Sequence, residues 1–358
     1  MSLHSLYPFL KTIIEPLRNQ DIVSLGMIKS IDETDDQVIV TLKLPSPVYS
    51  DASLLEKRIV EVLSLQTTKK IITQLTVDTL SGHRGLATRL PLVKNIIAVA
   101  AGKGGVGKST VAANLALGLH LQGAKVGLLD ADVYGPSVPT MLGPSDVPPS
   151  ALPDNKISPA IHFGIKVISI GFFTERQGAA IFRGPIVHKL LQQFLEDVSW
   201  GELDYLVIDL PPGTGDAQLS LSQLVPITGA VIVTTPQEVA LIDVEKAIHM
   251  FQKVEIPILG IVENMAYHTC SACGHHDEIF SRGGGKALAE TLKTAFLGEV
   301  PMDGRIRYGG DIGRPVVVGN KNGEHAKRFL EIARLTSELI IKQAPIGPKR
   351  PKGLVQIR

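Results

Sequence analysis

Residues Gly102-Lys103-Gly104-Gly105-Val106-Gly107-Lys108-Ser109-Thr110 spell GxxxxGK[ST], a spacing whose chemistry is the capture of phosphate. Closely spaced glycines let consecutive backbone N–H groups curl round phosphate oxygens, and a helix that follows adds the favourable end of its dipole. Lys108 is expected to reach the β- and γ-phosphates of a nucleotide and the Ser109 hydroxyl to ligate Mg2+. A glycine-rich turn alone leaves the Lys108-Ser109 pair unexplained. The loop works only between a strand and a helix. Residues 95–101 are an apolar run that reads as a buried strand, and the Ala/Leu-rich residues 111–121 read as a helix.

Three further constellations carry chemistry. In residues 205–216 an apolar strand ends in Asp209 and runs into a Pro/Gly turn; an aspartate at the carboxyl end of a strand beside the phosphate loop can hold Mg2+ through water. Residues 211–216 would then be a switch segment near the γ-phosphate. Asp130 and Asp132 follow another apolar strand two residues apart, a spacing that faces both carboxylates to one side. The plainer reading, that one of them caps the following turn, suits Asp130 better than Asp132. Cys270 and Cys273 form one CxxC, followed by Gly274, His275 and His276. An iron–sulfur cluster or a structural zinc needs about four ligands, so one CxxC is half a site. Zinc shared between chains, or held in one chain by Cys270, Cys273, His275 and His276, competes with the cluster, although adjacent histidines do not readily face one ion. A redox disulfide lacks the thioredoxin-type strand–helix context.

The elements that must position these residues follow from periodicity. The chain has 358 residues, a formal net charge of +1 and 20% charged residues, so no global field argues for nucleic acid or acidic substrates. No run approaches the ~18 consecutive apolar residues of a membrane span. Residues 1–11 lack a basic segment and apolar core, and no arginine precedes Arg18, so no signal or transit peptide is expected. With Cys270 and Cys273 the only cysteines, a reducing, cytoplasmic setting is expected. From residue 95 onward, β-branched runs at 126–130, 166–171, 205–210, 230–234 and 258–263 alternate with helical stretches around 186–198 and 243–253. That pattern predicts an α/β domain with a mainly parallel sheet covered by helices on both faces. A last helix over 324–343, with an apolar face of Phe329, Ile332, Leu335 and Leu339, is expected to pack on that sheet rather than on a membrane. Residues 1–85 read differently. A helix over 5–17, a hairpin of 23–32 and 37–44, a helix over 51–65 and a strand over 71–77 make a small α+β domain. Residues 86–94 would link it to an ATPase domain of 95–343, and 344–358 would be a flexible basic tail.

The second lysine, Lys103, makes the loop a KGGxGK[ST] form that resembles the deviant Walker A of the ATPase group containing MinD, ParA, nitrogenase iron protein and the Mrp/ApbC proteins. In that group the extra lysine reaches across a dimer interface to the partner's nucleotide. The resemblance implies a P-loop NTPase homodimer with two sandwiched ATP molecules, and catalytic roles for Lys103, Lys108 and Asp132, the last positioning the attacking water. It also implies an ATP-binding set of Gly102 to Thr110 together with Asp130, Asn264 at the adenine edge, and Pro301 and Asp303 in a loop over the base. Mg2+ falls to Ser109 and Asp209. Asn264-Met265, the CxxC, residues 279–285 (Ile-Phe-Ser-Arg-Gly-Gly-Gly), 182–185 (Phe-Arg-Gly-Pro) and 204–216 resemble the Mrp/ApbC iron–sulfur cluster carriers specifically. A two-fold dimer brings two CxxC pairs together and completes four thiolates. The implied function is an ATPase whose Cys270 and Cys273 bind a labile, subunit-bridging [4Fe–4S] cluster, received from a donor and passed to apoproteins, with no nucleic-acid or membrane partner. A MinD/ParA-like regulatory switch, with a zinc or unused CxxC, is the alternative. Residues 1–85, through 21–27 (Asp-Ile-Val-Ser-Leu-Gly-Met) and element order, look like a MIP18-type domain, here without the cysteine some such domains carry.

Overall fold

The computed structural model describes residues 5–82, 89–173, 184–213, 224–270 and 272–345. The chain divides into two compact units, one of residues 1–82 with 341–358 and one of residues 83–340. The tail expected over 344–358 lies almost wholly outside the described residues, as do residues 86–88 of the expected linker and residues 214–216 of the switch segment.

In the smaller unit, strands β1 (Ile28–Glu33), β2 (Gln37–Leu44) and β3 (Lys70–Val77) form a sheet in that order, β1 antiparallel and β2 parallel to its neighbour. Helix α1 (Ala52–Ser64) places Leu55, Ile59 and Leu63 at helical spacing in one core with Val38, Val40 and Leu42. The helix expected over 5–17 is confined to Tyr7–Leu10. Glu15 is the reason the chain turns instead: its buried carboxylate accepts from the backbone N–H groups of Leu17 and Arg18 and from the Tyr49 hydroxyl. The first hairpin strand is shorter than expected and begins only at Ile28.

The larger unit is built on strands β4 (Val93–Ala101), β5 (Val126–Asp130), β6 (Ala160–His162), β7 (Ile165–Ser169), β8 (Leu203–Asp209), β9 (Gly229–Thr234), β10 (Ile258–Asn264) and β11 (Phe296–Val300). They form one sheet in the order β6-β7-β5-β8-β4-β9-β10-β11, parallel throughout except for β6 at its edge. All five residues of β5 and all six of β9 are buried, as helices on both faces require. Helix α2 (Lys108–Leu121) follows β4, α3 (Gly184–Glu196) precedes β8, and α4 (Glu238–Lys253) joins β9 to β10. One core gathers Ile96, Leu206, Ile208, Ile232 and Phe251 from strands and helix. The mainly parallel α/β sheet read from the sequence is thus the observed one. The edge strands β6 and β11 were not foreseen. In the final helix, α7 (Glu324–Gln343), Phe329 and Ile332 are buried and Ser337 meets the Tyr205 hydroxyl of β8 at 2.8 Å, so this face packs on the sheet. Among the described residues no helix is long and apolar enough to cross a membrane.

Chain order reverses around β4. The chain moves to one side for β5 and β7, and to the other for β9, β10 and β11, which opens a crevice at the carboxyl ends of the central strands. On the β10 side, fully buried Glu263 accepts from the backbone N–H groups of Gly283 and Gly285 at the start of α5 (Gly284–Thr291). A carboxylate there satisfies orphan donors and meets the positive end of the helix dipole. Glu263→Ala should therefore lower stability by about 1–3 kcal/mol, the cost of leaving buried donors unpaired. Calorimetry would read this as a lower melting temperature, and an unchanged transition would assign the carboxylate no capping role.

Candidate nucleotide site and cysteine hairpin

The phosphate loop leaves β4 at Ala101 and enters α2 at Lys108. Two of its glycines are required by their surroundings. A Cβ on Gly102 would lie 2.3 Å from the Asp243 carbonyl carbon of α4. Gly107 has φ +84°, and a Cβ there would lie 2.1 Å from Asn264 Nδ2. That amide donates to the Val106 carbonyl at 2.8 Å, tying the loop to the end of β10. The site residues Lys103, Gly104, Lys108, Ser109 and Asp132 line a cavity of about 270 Å³, closed on another side by Pro212. Gly213, at φ +90°, donates to the Ala101 carbonyl at 3.0 Å and so holds the described start of the switch segment against the loop.

Beneath the cavity the charges are unbalanced. Buried Lys108 donates from Nζ to Asp209 Oδ1 at 2.6 Å and approaches Ser109 Oγ at 3.2 Å. Asp209 is fully buried, and its Oδ2 has no hydrogen-bond partner among the described residues. Burial pushes the Asp209 carboxyl above its ordinary range while Lys108 opposes the shift. Asp130 pairs in register with Asp209 at the end of β5 and is also fully buried. Its carboxyl is pushed up to about 7, first by burial and then by the Asp209 charge. The two aspartates expected to face the cavity together part company. The strand ends at Asp130, whose oxygens accept from Ser169 Oγ at 2.9 Å and from the N–H groups of Asp132 and Val138, and which does not line the cavity. Asp132 lies past the strand, half-buried, with Oδ1 accepting from Gly135 N at 3.3 Å. Asp130 thus braces the carboxylate loop and Asp132 faces the phosphate cavity.

A second cavity, of about 490 Å³, shares the lining residues Gly107, Thr110 and Met141 with the first, so the two adjoin. Asn264, Pro301 and Asp303 line it. Asp303 caps α6 (Gly304–Asp311), accepting from Arg305 N at 2.7 Å, and also meets the Arg305 guanidinium and His325 Nε2 at 2.9 Å. The Arg305 side chain holds its carboxyl well below the usual carboxylate range. Met141, Ile306 and Arg307 also line this space, and sequence reading missed them because Met141 comes from one helix, Ile306 and Arg307 from another, and none carries a motif.

Cys270 and Cys273 sit at the tip of a hairpin in which His268–Thr269 pairs with His276–Asp277. Cys270 N donates to the His275 carbonyl at 2.9 Å and Gly274 N to the Cys270 carbonyl at 2.8 Å; Gly274 adopts φ +73° to close the turn. Cys270 is half-buried and Cys273 exposed, and backbone N–H groups of Cys273 and Ala272 lower the Cys270 thiol's pKa. His276 is engaged elsewhere, stacked on Tyr267 with ring centres 4.9 Å apart. Among the described residues no group of three or more His, Cys, Asp and Glu side chains is placed to hold a metal ion, so the single-chain zinc set with His275 and His276 is not assembled.

The parallel sheet, the glycine loop entering α2 and the buried lysine–aspartate pair define a P-loop nucleotide-binding protein. More particularly, the chain belongs to the family described as NUBPL iron-transfer P-loop NTPases, whose model matches residues 92–336. A second model, described as iron-sulfur cluster assembly protein, matches residues 6–70. The chain is 44% identical over 337 residues, 93% of its length and 90% of the relative's, to an iron-sulfur cluster carrier protein of Haemophilus influenzae. It is 42% identical over 339 residues, 93% of its length and 91% of the relative's, to one of Escherichia coli. A nucleotide-binding protein of Archaeoglobus fulgidus, solved in complex with ADP, is similar with a TM-score of 0.58 and 43% identity, covering 67% of this chain and 93% of that one. The iron–sulfur carrier reading of the sequence therefore prevails over the regulatory-switch alternative.

Gly107→Ala should weaken binding of a fluorescent ADP analogue about tenfold or more, because a left-handed backbone strains alanine and the methyl displaces the Asn264 amide. Unchanged affinity in a titration would show that the loop does not need this geometry to hold phosphate.

Proposed function

We propose that the chain is an ATP-hydrolysing carrier. As a homodimer it holds a labile [4Fe–4S] cluster through Cys270 and Cys273 of both copies, accepts it from a donor and releases it to apoproteins. The observation that carries this reading is one strand, β10, ending at Asn264 beside the phosphate loop and leading within six residues to Cys270 on an exposed hairpin. Two thiols are half of the roughly four ligands a cluster takes. The half-set, with no third protein ligand gathered round it among the described residues, is what a two-fold partner would complete. The family names of the relatives support the same cargo. Two free cysteines, and no others in the sequence, are consistent with a cytoplasmic setting.

At the nucleotide, Lys108 would exchange its contact with Asp209 for phosphate oxygens, and Lys103 at the cavity's lip would reach the partner's nucleotide. Residues 102–110 would give their N–H groups to the phosphates, and Asn264, Pro301 and Asp303 would frame the base. Ser109 and Asp209 fit Mg2+, since the buried Oδ2 of Asp209 has no hydrogen-bond partner among the described residues and a buried carboxylate oxygen calls for a cation or a donor. Mg2+ held there would supply positive charge against the charge that develops on the phosphates. Asp132, which lines the same cavity as Lys108 and Ser109, would orient the attacking water and accept its proton. Nucleotide-dependent opening and closing of the dimer would load or release the cluster.

Asp132→Ala should retain nucleotide affinity while phosphate release falls by about a hundredfold or more; unchanged turnover would remove Asp132 from the mechanism. Anaerobic reconstitution with iron and sulfide should load about four irons per dimer, lost in the Cys270→Ala/Cys273→Ala protein. A dimer that takes up no iron in either form would reject the carrier reading.

A further inference from the structure

The strand that leaves the base cavity does not pass freely into the cysteine hairpin. Met265 turns the chain in a left-handed conformation (φ +55°), and the next three residues are laced to the segment that walls the cavity. Ala266 N donates to the Val300 carbonyl at 3.0 Å, Met302 N donates to the Tyr267 carbonyl at 2.7 Å, and His268 Nδ1 lies 3.1 Å from the Met302 carbonyl. Pro301 and Met302 themselves line the cavity. On its other side Tyr267 grips the hairpin: its ring lies parallel to the His276 imidazole, with an interplanar angle of 4°. His276 pairs across the hairpin with Thr269, and its neighbour His275 accepts from the Cys270 N–H.

The ring is also fixed from behind. The Arg282 guanidinium sits 4.8 Å and that of Arg328 5.5 Å from its centre, within cation–π range. Arg282 is in turn held by Glu299 of β11 at 2.7 Å, two residues before Pro301. Tyr267 is 2% exposed, and its buried hydroxyl has no partner among the described residues. A buried hydroxyl without a partner costs free energy, so the contacts of the aromatic face and the backbone, not the phenol, hold this residue in place.

We infer that Tyr267 is the positioning residue that ties the cysteine hairpin to the base cavity, so that a bound nucleotide restrains the thiols through residues 300–302, the Tyr267 backbone and the Tyr267–His276 stack. This deepens the carrier reading and rests on it: the linkage gives the nucleotide a path to the cluster ligands within one chain, in addition to any closure of the dimer.

The test uses the full-length, iron-free protein and the rate of Cys270 and Cys273 alkylation by iodoacetamide, with and without saturating ADP. In the wild type ADP should slow alkylation about fivefold, the lower end of ordinary allosteric coupling. Tyr267→Phe should keep that ratio, because the hydroxyl has no partner. Tyr267→Ala should bring the ratio close to one while ADP affinity, measured by titration, is retained. His276→Ala breaks the stack from the exposed hairpin side, leaves the base cavity untouched, and should bring the ratio down in the same way even if Tyr267→Ala does not fold. An ADP effect that survives undiminished in His276→Ala, or a wild-type rate indifferent to ADP, overturns the linkage. Iron loading of the same preparations separates the two readings: normal loading with ADP-insensitive thiols defeats the linkage alone, whereas loss of loading defeats the carrier.

Discussion

A buried positive charge shared between two elements governs the nucleotide site. Lys108 opens α2 and Asp209 closes β8, and their 2.6 Å contact joins the helix that must point its N-terminus at phosphate to the strand that must present a carboxylate. One ammonium does not balance two buried carboxylates, and Asp130 stands in register beside Asp209. Buried pairs of like charge raise each other's pKa values, and Ser169 and Val138 stabilise Asp130 only in part. Proton uptake relieves part of that repulsion, as the Asp130 carboxyl pushed up to about 7 shows. A nucleotide that carried a divalent cation would offer a second relief, so Asp209 would keep a counter-charge if Lys108 turned to phosphate.

The glycines follow from the same crowding. Gly102 rests on the backbone of α4 and Gly107 on the Asn264 amide, so the loop is compressed between β10 and α4 before any ligand arrives. Neighbours hold its N–H groups in place, and little conformational entropy is left to lose on binding.

What could be read from the chain divides along physical lines. Strands β4, β5, β8, β9 and β10 are continuous apolar runs because both faces are covered, and such runs stand out without context. The edge strands do not: β6 has three residues, and β11 is Phe-Leu-Gly-Glu-Val with only two positions buried. The false helix over 5–17 shows the limit of helical spacing. Leu6, Leu10 and Ile13 are buried as the pattern suggests, yet Glu15 draws the chain into a turn through tertiary contacts invisible locally. In the site, motif residues of the phosphate loop and the CxxC were legible because their chemistry demands fixed types at fixed spacing. The different tasks of Asp130 and Asp132 were not, since strand alternation extends only as far as the strand, and β5 stops at Asp130. Nor were Met141, Ile306 and Arg307, which meet only in three dimensions.

Why a cysteine pair with so few neighbours should sit here follows from what surrounds it. The hairpin is short, Gly274 closes it, and backbone N–H groups already favour the thiolate of Cys270. His276 stacks on Tyr267, and among the described residues no third ligand side chain gathers with the two thiols. Ligands left incomplete at an exposed tip suit a group that must be given up, because a ligand set closed within one chain would bind metal as a structural site does. The Tyr267–His276 stack joins this hairpin to the wall of the second cavity, so the strand that presents the thiols is held at its root while their tip stays open. Openness at the tip and restraint at the root would let a cargo be given up and yet feel the nucleotide.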